Sequence, residues 1–79
     1  MYHVYAIKSI SKNYIYVGMS NNLERRLKEH NNGENSSTKA YKPFILILSE
    51  MHENRIIARN REKYLKSGIG KEFLKSLLK

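Results

Sequence analysis

A chain of 79 residues without a single cysteine has to hold itself together by packing alone. Every apolar stripe must then find its partner inside one core, since a chain this short cannot be divided into two self-sufficient ones. Residues 1–79 therefore read as a single domain. With 41% hydrophobic and 28% charged residues, the chain can build that core and still dissolve. The missing cysteines also remove thiolate zinc sites and cysteine nucleophiles. All seven acids are glutamates, which excludes Ser-His-Asp triads, aspartic dyads, aspartate metal clusters and EF-hands. No run of about 20 apolar residues is present, and no basic start leads into an apolar block. The expected location is the cytoplasm, with no membrane partner.

The formal net charge is +8, and it is concentrated. From Asn54 to Lys79 there are eight bases against two acids, so this third of the chain carries +6 of the total. A basic surface of that density raises the local concentration of polyanions and binds phosphate backbones in a salt-dependent way. Lysines that merely solvate amphipathic helices would give the same count.

The stretch Tyr2-His-Val-Tyr-Ala-Ile-Lys8 is β-branched and aromatic, as is Tyr14-Ile-Tyr-Val17, and the polar segment between them marks a hairpin. A four-residue turn would pair Lys8 with Asn13 and set Tyr5 opposite Tyr16 on one face. Val4, Ala6, Ile15 and Val17 would form the other face, toward the core, and the tyrosine face would look onto a surface or cleft. An odd loop would undo this pairing. Gly18 breaks the second strand, and Asn21 with Glu24 three residues later forms a variant capping box for a helix running to about His30. Asn31-Asn-Gly33 stops that helix.

After a polar loop and Pro43 comes Phe44-Ile-Leu-Ile-Leu48, whose unbroken apolarity predicts a strand covered on both faces at the sheet centre. A second helix follows over about residues 55–67, with Ile57, Ala58, Tyr64 and Leu65 on its apolar side. Gly68 and Gly70 interrupt it, and a short amphipathic helix over residues 71–78 carries Phe73, Leu74, Leu77 and Leu78. The expected fold is α+β, sandwich-like: a three-stranded, mainly antiparallel sheet with flanking helices in the order β-β-α-β-α-α.

Two polar groups stand where the pattern calls for apolar ones. Leu23, Arg26, Leu27 and His30 form one helical stripe at i, i+3, i+4 and i+7. Arg26 at its margin needs an anionic partner, a glutamate or an outside phosphate, unless it snorkels past its neighbours. His30 alone is as consistent with a structural hydrogen bond as with catalysis. On the second helix Glu62 lies four residues after Ala58 and three before Leu65, at the border of the apolar stripe. A pairing with Lys66 at i,i+4 is its ordinary explanation. Arg61 falls in the same arc, with an ion pair as its simplest account.

Tyr5 in His3-Val-Tyr5, and Tyr16-Val-Gly18 eleven residues on, resemble the paired motifs that name the GIY-YIG nuclease superfamily. Asn22-Leu-Glu-Arg-Arg-Leu-Lys-Glu-His30 resembles its helix, in which the second arginine is catalytic. Ser37-Thr-Lys39, Pro43-Phe44, Arg61-Glu-Lys-Tyr-Leu-Lys66, Gly70 and Phe73-Leu74 extend the resemblance over essentially the whole chain. The series is similar to the small standalone branch of the superfamily, and to the N-terminal nuclease domain found in the excision-repair machinery. Met19 stands where some relatives place a lysine, a loss that would slow the reaction unless Lys8 substitutes, and His3 stands where they begin with glycine.

That resemblance implies a metal-dependent DNA endonuclease acting in repair or recombination on branched or damaged DNA. Tyr16 would be the general base, and Tyr5 would order the water or hydrogen-bond the phosphate. Arg26 would neutralise the scissile phosphate, His30 would contact it or assist proton transfer, and Glu62 would hold one Mg²⁺ or Mn²⁺. Gly18 would let the strand end close against the helix. Lys8, Lys39, Arg61, Lys63 and Lys66 are the candidate DNA contacts. The alternative is a noncatalytic nucleic-acid-binding module on the same fold, which would need the bases but not Glu62. Specificity beyond backbone and shape would come from a partner protein or a homodimer.

Overall fold

The computed structural model describes residues 1–78, so Lys79 of the basic third lies outside the described residues. Its elements are β1 (Tyr2–Ser9), β2 (Ile15–Ser20), α1 (Leu23–Asn31), a 3₁₀ turn (Lys39–Tyr41), β3 (Phe44–His52), α2 (Arg55–Lys66) and α3 (Gly68–Ser76). The sheet is antiparallel with strand order β2-β1-β3. The fold is α+β in the order β-β-α-β-α-α. Among the described residues no helix is long and apolar enough to cross a membrane.

Period-2 alternation divides β1 and β2 between two cores. Val4, Ala6 and Val17 pack with Ala58, Leu65 and Leu74 under α2 and α3, with Ile15 and Met19 at the margin. Tyr5 and Ile7 pack with Phe44 on the other side, against Tyr16, Leu23 and Leu27 beneath α1. The tyrosine face is thus a second core rather than an open cleft, with Tyr5 wholly buried. The hairpin loop is wider than four residues: Lys8 pairs with Ile15, and Tyr5 lies opposite Gly18 instead of Tyr16. An even shift of two keeps every side chain on its expected face. Tertiary contacts set the extra length. Tyr14 stacks on Tyr41 at 3.9 Å between ring centroids, and Lys12 Nζ donates to the Ala40 carbonyl at 3.1 Å.

The central strand is β1, and β3 lies at an edge. Between Ala6 and Ile7 the register with β3 slips by one, so that Ala6 faces Leu48 and Ile7 faces Leu46. The extra residue, Ile47, forms a bulge, and both Ile47 and Leu48 turn toward the α2 and α3 core. That bulge accounts for the unbroken apolar run without two covered faces. Ile45 and Leu46 remain 47% and 44% exposed. The continuous buried run is Val4-Tyr5-Ala6-Ile7 in β1, which has a helical layer on either side.

Asn22, not Asn21, caps α1: its side-chain oxygen accepts from the Arg25 N–H at 3.1 Å, while Ser20 Oγ accepts from the Asn22 N–H at 2.9 Å. Gly33, with φ +76°, follows the helix in the left-handed conformation. Asn31 reaches across to β3, its Oδ1 accepting from the Phe44 N–H at 2.7 Å, and so fixes where that strand starts.

The glycines after α2 do not interrupt a helix; they begin α3. Ser67 ends α2 and caps α3, its Oγ accepting from the Gly70 N–H at 3.2 Å. Gly70 is packed so closely on α2 that a Cβ would meet the Tyr64 carbonyl oxygen and the Leu65 backbone. On the apolar sides of these helices only Ala58, Leu65 and Leu74 are buried, while Ile57, Tyr64, Phe73, Leu77 and Leu78 are exposed. Nine-residue α3 covers only part of the sheet, and Tyr64 and Phe73 lie beneath the Arg61 guanidinium instead, at 5.2 and 5.8 Å from their ring centroids.

The two glycines respond differently to a methyl group. A Cβ at Gly70 forces α2 and α3 apart, so Gly70→Ala is expected to lower stability by roughly 1–3 kcal/mol. At Gly68 a Cβ meets nothing within 4 Å, so Gly68→Ala is expected to be neutral or to stabilise by up to about 1 kcal/mol. Urea unfolding midpoints of the two variants check this; equal losses would contradict the packing described.

Candidate active site

The site forms where β2 ends. Tyr5 and Gly18 face each other across the β1–β2 ladder, and a Cβ on Gly18 would come within 2.6 Å of the Tyr5 hydroxyl and 2.9 Å of the Tyr16 ring. Gly18 is therefore the floor on which two phenol rings lie, with centroids 6.3 Å apart, and its close neighbours are those rings rather than a helix. The His30 ring closes the group at 4.9 Å from Tyr16 and 6.0 Å from Tyr5. Tyr5 Oη lies 3.0 Å from His30 Nε2, and His30 Nδ1 lies 2.9 Å from Thr38 Oγ1. Tyr5, His30 and Thr38 are all fully buried.

Arg26 of α1 and Glu62 of α2 lie on opposite helical layers, and the charge of each acts on Tyr5. Burial raises the Tyr5 phenol above its ordinary range; the Arg26 guanidinium opposes that rise, while the charges of Tyr16 and Glu62 add to it. Burial also works against charge on Arg26, but Tyr5 and Glu29 overcome it and hold the guanidinium above its usual value. The anionic partner of Arg26 is Glu29 at 2.6 Å, which Arg25 shares at 3.3 Å. Glu62 is buried and pairs with Lys66 at 3.2 Å and Arg59 at 3.5 Å. Burial, with Arg26 reinforcing it, lowers the His30 pKa, and Glu29 only partly offsets the effect.

Tyr5, Tyr16 and His30 are thus brought together around Gly18, and the charges of Arg26 and Glu62 act on Tyr5 from the helices on either side. The basic residues divide differently. Lys66 lines a hollow with Tyr16 and Lys71 along the outer side of β2. The next hollow along that strand is lined by Met19, Arg25, Arg26 and Arg55. Spacing of i, i+4, i+7 and i+11 puts Arg55, Arg59, Glu62 and Lys66 on one flank of α2. Nothing in the sequence pattern singles out Arg25 or Lys71 as a contact, whereas the spacing of Arg55 ahead of Glu62 does carry that signal.

Arg61 occupies the opposite flank, where Nε and an Nη each donate to the Glu50 carboxylate of β3 at 2.9 Å. That bidentate pair holds Glu50 below the usual carboxylate range. Arg61 is therefore a structural ion-pair partner, as its arc suggested, on the side of α2 that faces β3. Lys8 Nζ donates to the carbonyls of Ser9 and Lys12, both at 2.7 Å, at the hairpin end of the sheet. Lys39 is exposed on the 3₁₀ turn and Lys63 is exposed on α2. Thr38 appears in the sequence only as part of the Ser37-Thr-Lys39 match, and its role comes from the need of a buried His30 for a second partner.

A family model described as "GIY-YIG catalytic domain" matches residues 1–73. The chain belongs to the GIY-YIG family. It is 40% identical over 67 residues to a UPF0213 protein of Clostridium perfringens, an overlap of 84% of this chain and 71% of that one. A UPF0213 protein of Haloquadratum walsbyi is 36% identical over 67 residues, covering 84% and 75%. The solution NMR structure of a UPF0213 protein from Bacillus halodurans matches with a TM-score of 0.58 and 28% identity, over 98% of this chain and 85% of that one. The GIY-YIG match gives this fold a nuclease character, and the UPF0213 designation states no activity.

GIY-YIG nucleases are generally dependent on a divalent metal. Among the described residues no three His, Cys, Asp or Glu side chains cluster as a metal cage would require. A single buried carboxylate, as at Glu62, would suit a cation that keeps most of its waters, as Mg²⁺ does, in place of its present partners Lys66 and Arg59.

The lowered His30 pKa fixes the sign of a pH effect. The unfolded chain takes up a proton near pH 6.5 while folded His30 still resists it, so the unfolded state binds more protons in that window. Stability is then fully present above about pH 6.5 and declines as pH falls toward the folded pKa. Melting temperatures from pH 7.5 to 5.5 are expected to fall for the wild type, and the slope is expected to flatten in His30→Gln. A slope unchanged in that variant would contradict the burial assigned to His30.

Proposed function

We propose that the chain is a metal-dependent endonuclease that hydrolyses a DNA phosphodiester. What supports this is that Arg26 and the buried Glu62 stand on the two helical layers flanking the Tyr5, Gly18 and Tyr16 group, and that the charges of both act on Tyr5. A surface that only bound phosphate would gain nothing from a buried carboxylate inside its basic flank. Glu62 becomes useful there when a cation stands between it and the phosphate.

In the reaction a water oxygen attacks phosphorus and the bond from phosphorus to O3′ breaks, leaving a 5′-phosphate and a 3′-hydroxyl. Tyr16 takes the proton of the attacking water, and the leaving O3′ is protonated from solvent. Arg26, released from Glu29 by the incoming phosphate, neutralises charge on the non-bridging oxygens. Glu62 would hold a divalent cation, Mg²⁺ or Mn²⁺, which when bound would supply Lewis-acid charge to the phosphate. Tyr5 anchors the site through His30. Arg25, Arg55, Lys66 and Lys71 carry the flanking backbone, with Lys39 and Lys63 as outer contacts. Branched or damaged DNA suits a domain that reads backbone and shape, and a repair or recombination role in the cytoplasm follows from that substrate class.

Nicking of supercoiled plasmid in Mg²⁺ tests this. Tyr16→Phe and Glu62→Ala are each expected to reduce nicking by roughly 10²-fold or more, with DNA retention nearly intact. Wild-type protein that binds DNA and never cuts it would favour the noncatalytic module, and unimpaired variants would remove these residues from the chemistry.

A further inference from the structure

The fully buried chain of hydrogen bonds from Tyr5 through His30 to Thr38 has a definite direction. The Thr38 hydroxyl passes its proton to the Asn35 carbonyl at 3.4 Å, an acceptor only. Its oxygen is then left to accept, and the donor within reach is His30 Nδ1 at 2.9 Å. A neutral imidazole with its proton on Nδ1 is bare at Nε2, which accepts from the Tyr5 hydroxyl at 3.0 Å. The acceptor-only carbonyl thus sets one polarity along the whole chain.

We propose that Thr38 is a positioning residue that locks His30 in the Nδ1–H tautomer, so that Nε2 holds the Tyr5 hydroxyl as a permanent donor. The charged groups facing His30 are Arg26 and Glu29 of α1, and the remaining neighbours are the rings of Tyr5, Tyr16 and Phe44. The 3₁₀ turn assists by anchoring the segment that carries Thr38: the Thr38 and Lys39 N–H groups both donate to the Asn35 carbonyl, at 3.1 and 2.9 Å. The consequence for catalysis rests on the nuclease reading above. With its proton committed to His30, Tyr5 remains a neutral phenol whose lone pairs face Arg26 and the reacting side. The two tyrosines then differ in kind: Tyr16 is left to take the proton of water, and Tyr5 orients what Tyr16 attacks with.

Ring-nitrogen NMR of ¹⁵N-labelled protein at pH 7.5 tests the lock without any substrate. The expected wild-type spectrum has His30 protonated at Nδ1 and bare at Nε2. Thr38→Ser is expected to keep that pattern, and Thr38→Val to shift it to Nε2–H. In plasmid nicking Thr38→Val is expected to lower kcat by tenfold or more with KM within about twofold, and Thr38→Ser to restore it. A wild-type His30 that is doubly protonated or protonated at Nε2 overturns the proposal, as does a Thr38→Val spectrum identical to wild type. Should Thr38→Val fail to fold, the wild-type and Thr38→Ser spectra decide alone. The expected tautomers with no cleavage by any form uphold the lock and overturn the nuclease reading.

Discussion

Everything at the functional end of this molecule depends on a contact between a phenol and a backbone without a side chain. The Tyr5 hydroxyl lies where the Cβ of any other residue at position 18 would be, and from there it reaches His30 Nε2. Because Tyr5 sits on the central strand and is fully buried, its position is set by both cores at once. His30 fixes α1 against the sheet through that same hydroxyl, and Arg26, one turn earlier, is carried to the site as a result. The opposite layer supplies Glu62 through α2, whose residues Ala58 and Leu65 are locked into the first core.

The charge distribution follows the same geometry. Alternate flanks of α2 serve alternate edges of the sheet. One flank gives Arg59, Glu62 and Lys66 to the β2 side, and the other gives Arg61 to Glu50 on β3. Within the site itself, Arg26 and Glu62 are each held by neighbours of opposite charge, Glu29 in one case and Lys66 with Arg59 in the other. These pairs satisfy groups that would otherwise be partly buried and unpaired.

Much of this was legible in the sequence because two periodicities survive small errors. A hairpin displaced by two residues still puts Tyr5 and Tyr16 together, since the strand period is 2, and the 3.6 period of α1 and α2 brought Arg26, His30 and Glu62 inward. What escaped depends on contacts between distant parts of the chain. The hairpin loop is sized by Tyr14 stacking on Tyr41, and the apolar run of β3 reflects a bulge at Ile47 rather than central placement. Ser67 ends one helix and starts the next, which composition around two glycines does not announce. Lys8 and Arg61 resembled phosphate contacts by charge alone; the loop carbonyls and Glu50 that hold them are visible only in three dimensions. Thr38 is the clearest case, since its hydroxyl acquires meaning from a histidine eight residues away and a tyrosine on another element.

The central claim is that this arrangement around Gly18 breaks a phosphodiester. Its most direct measurement is the incubation of purified protein with an end-labelled branched duplex in Mg²⁺, followed by mapping of the new termini. The expected cuts leave 3′-hydroxyl and 5′-phosphate ends and stop when the metal is chelated. Duplex that is bound and remains intact in Mg²⁺ and in Mn²⁺, or that is cut equally well under chelation, would contradict it.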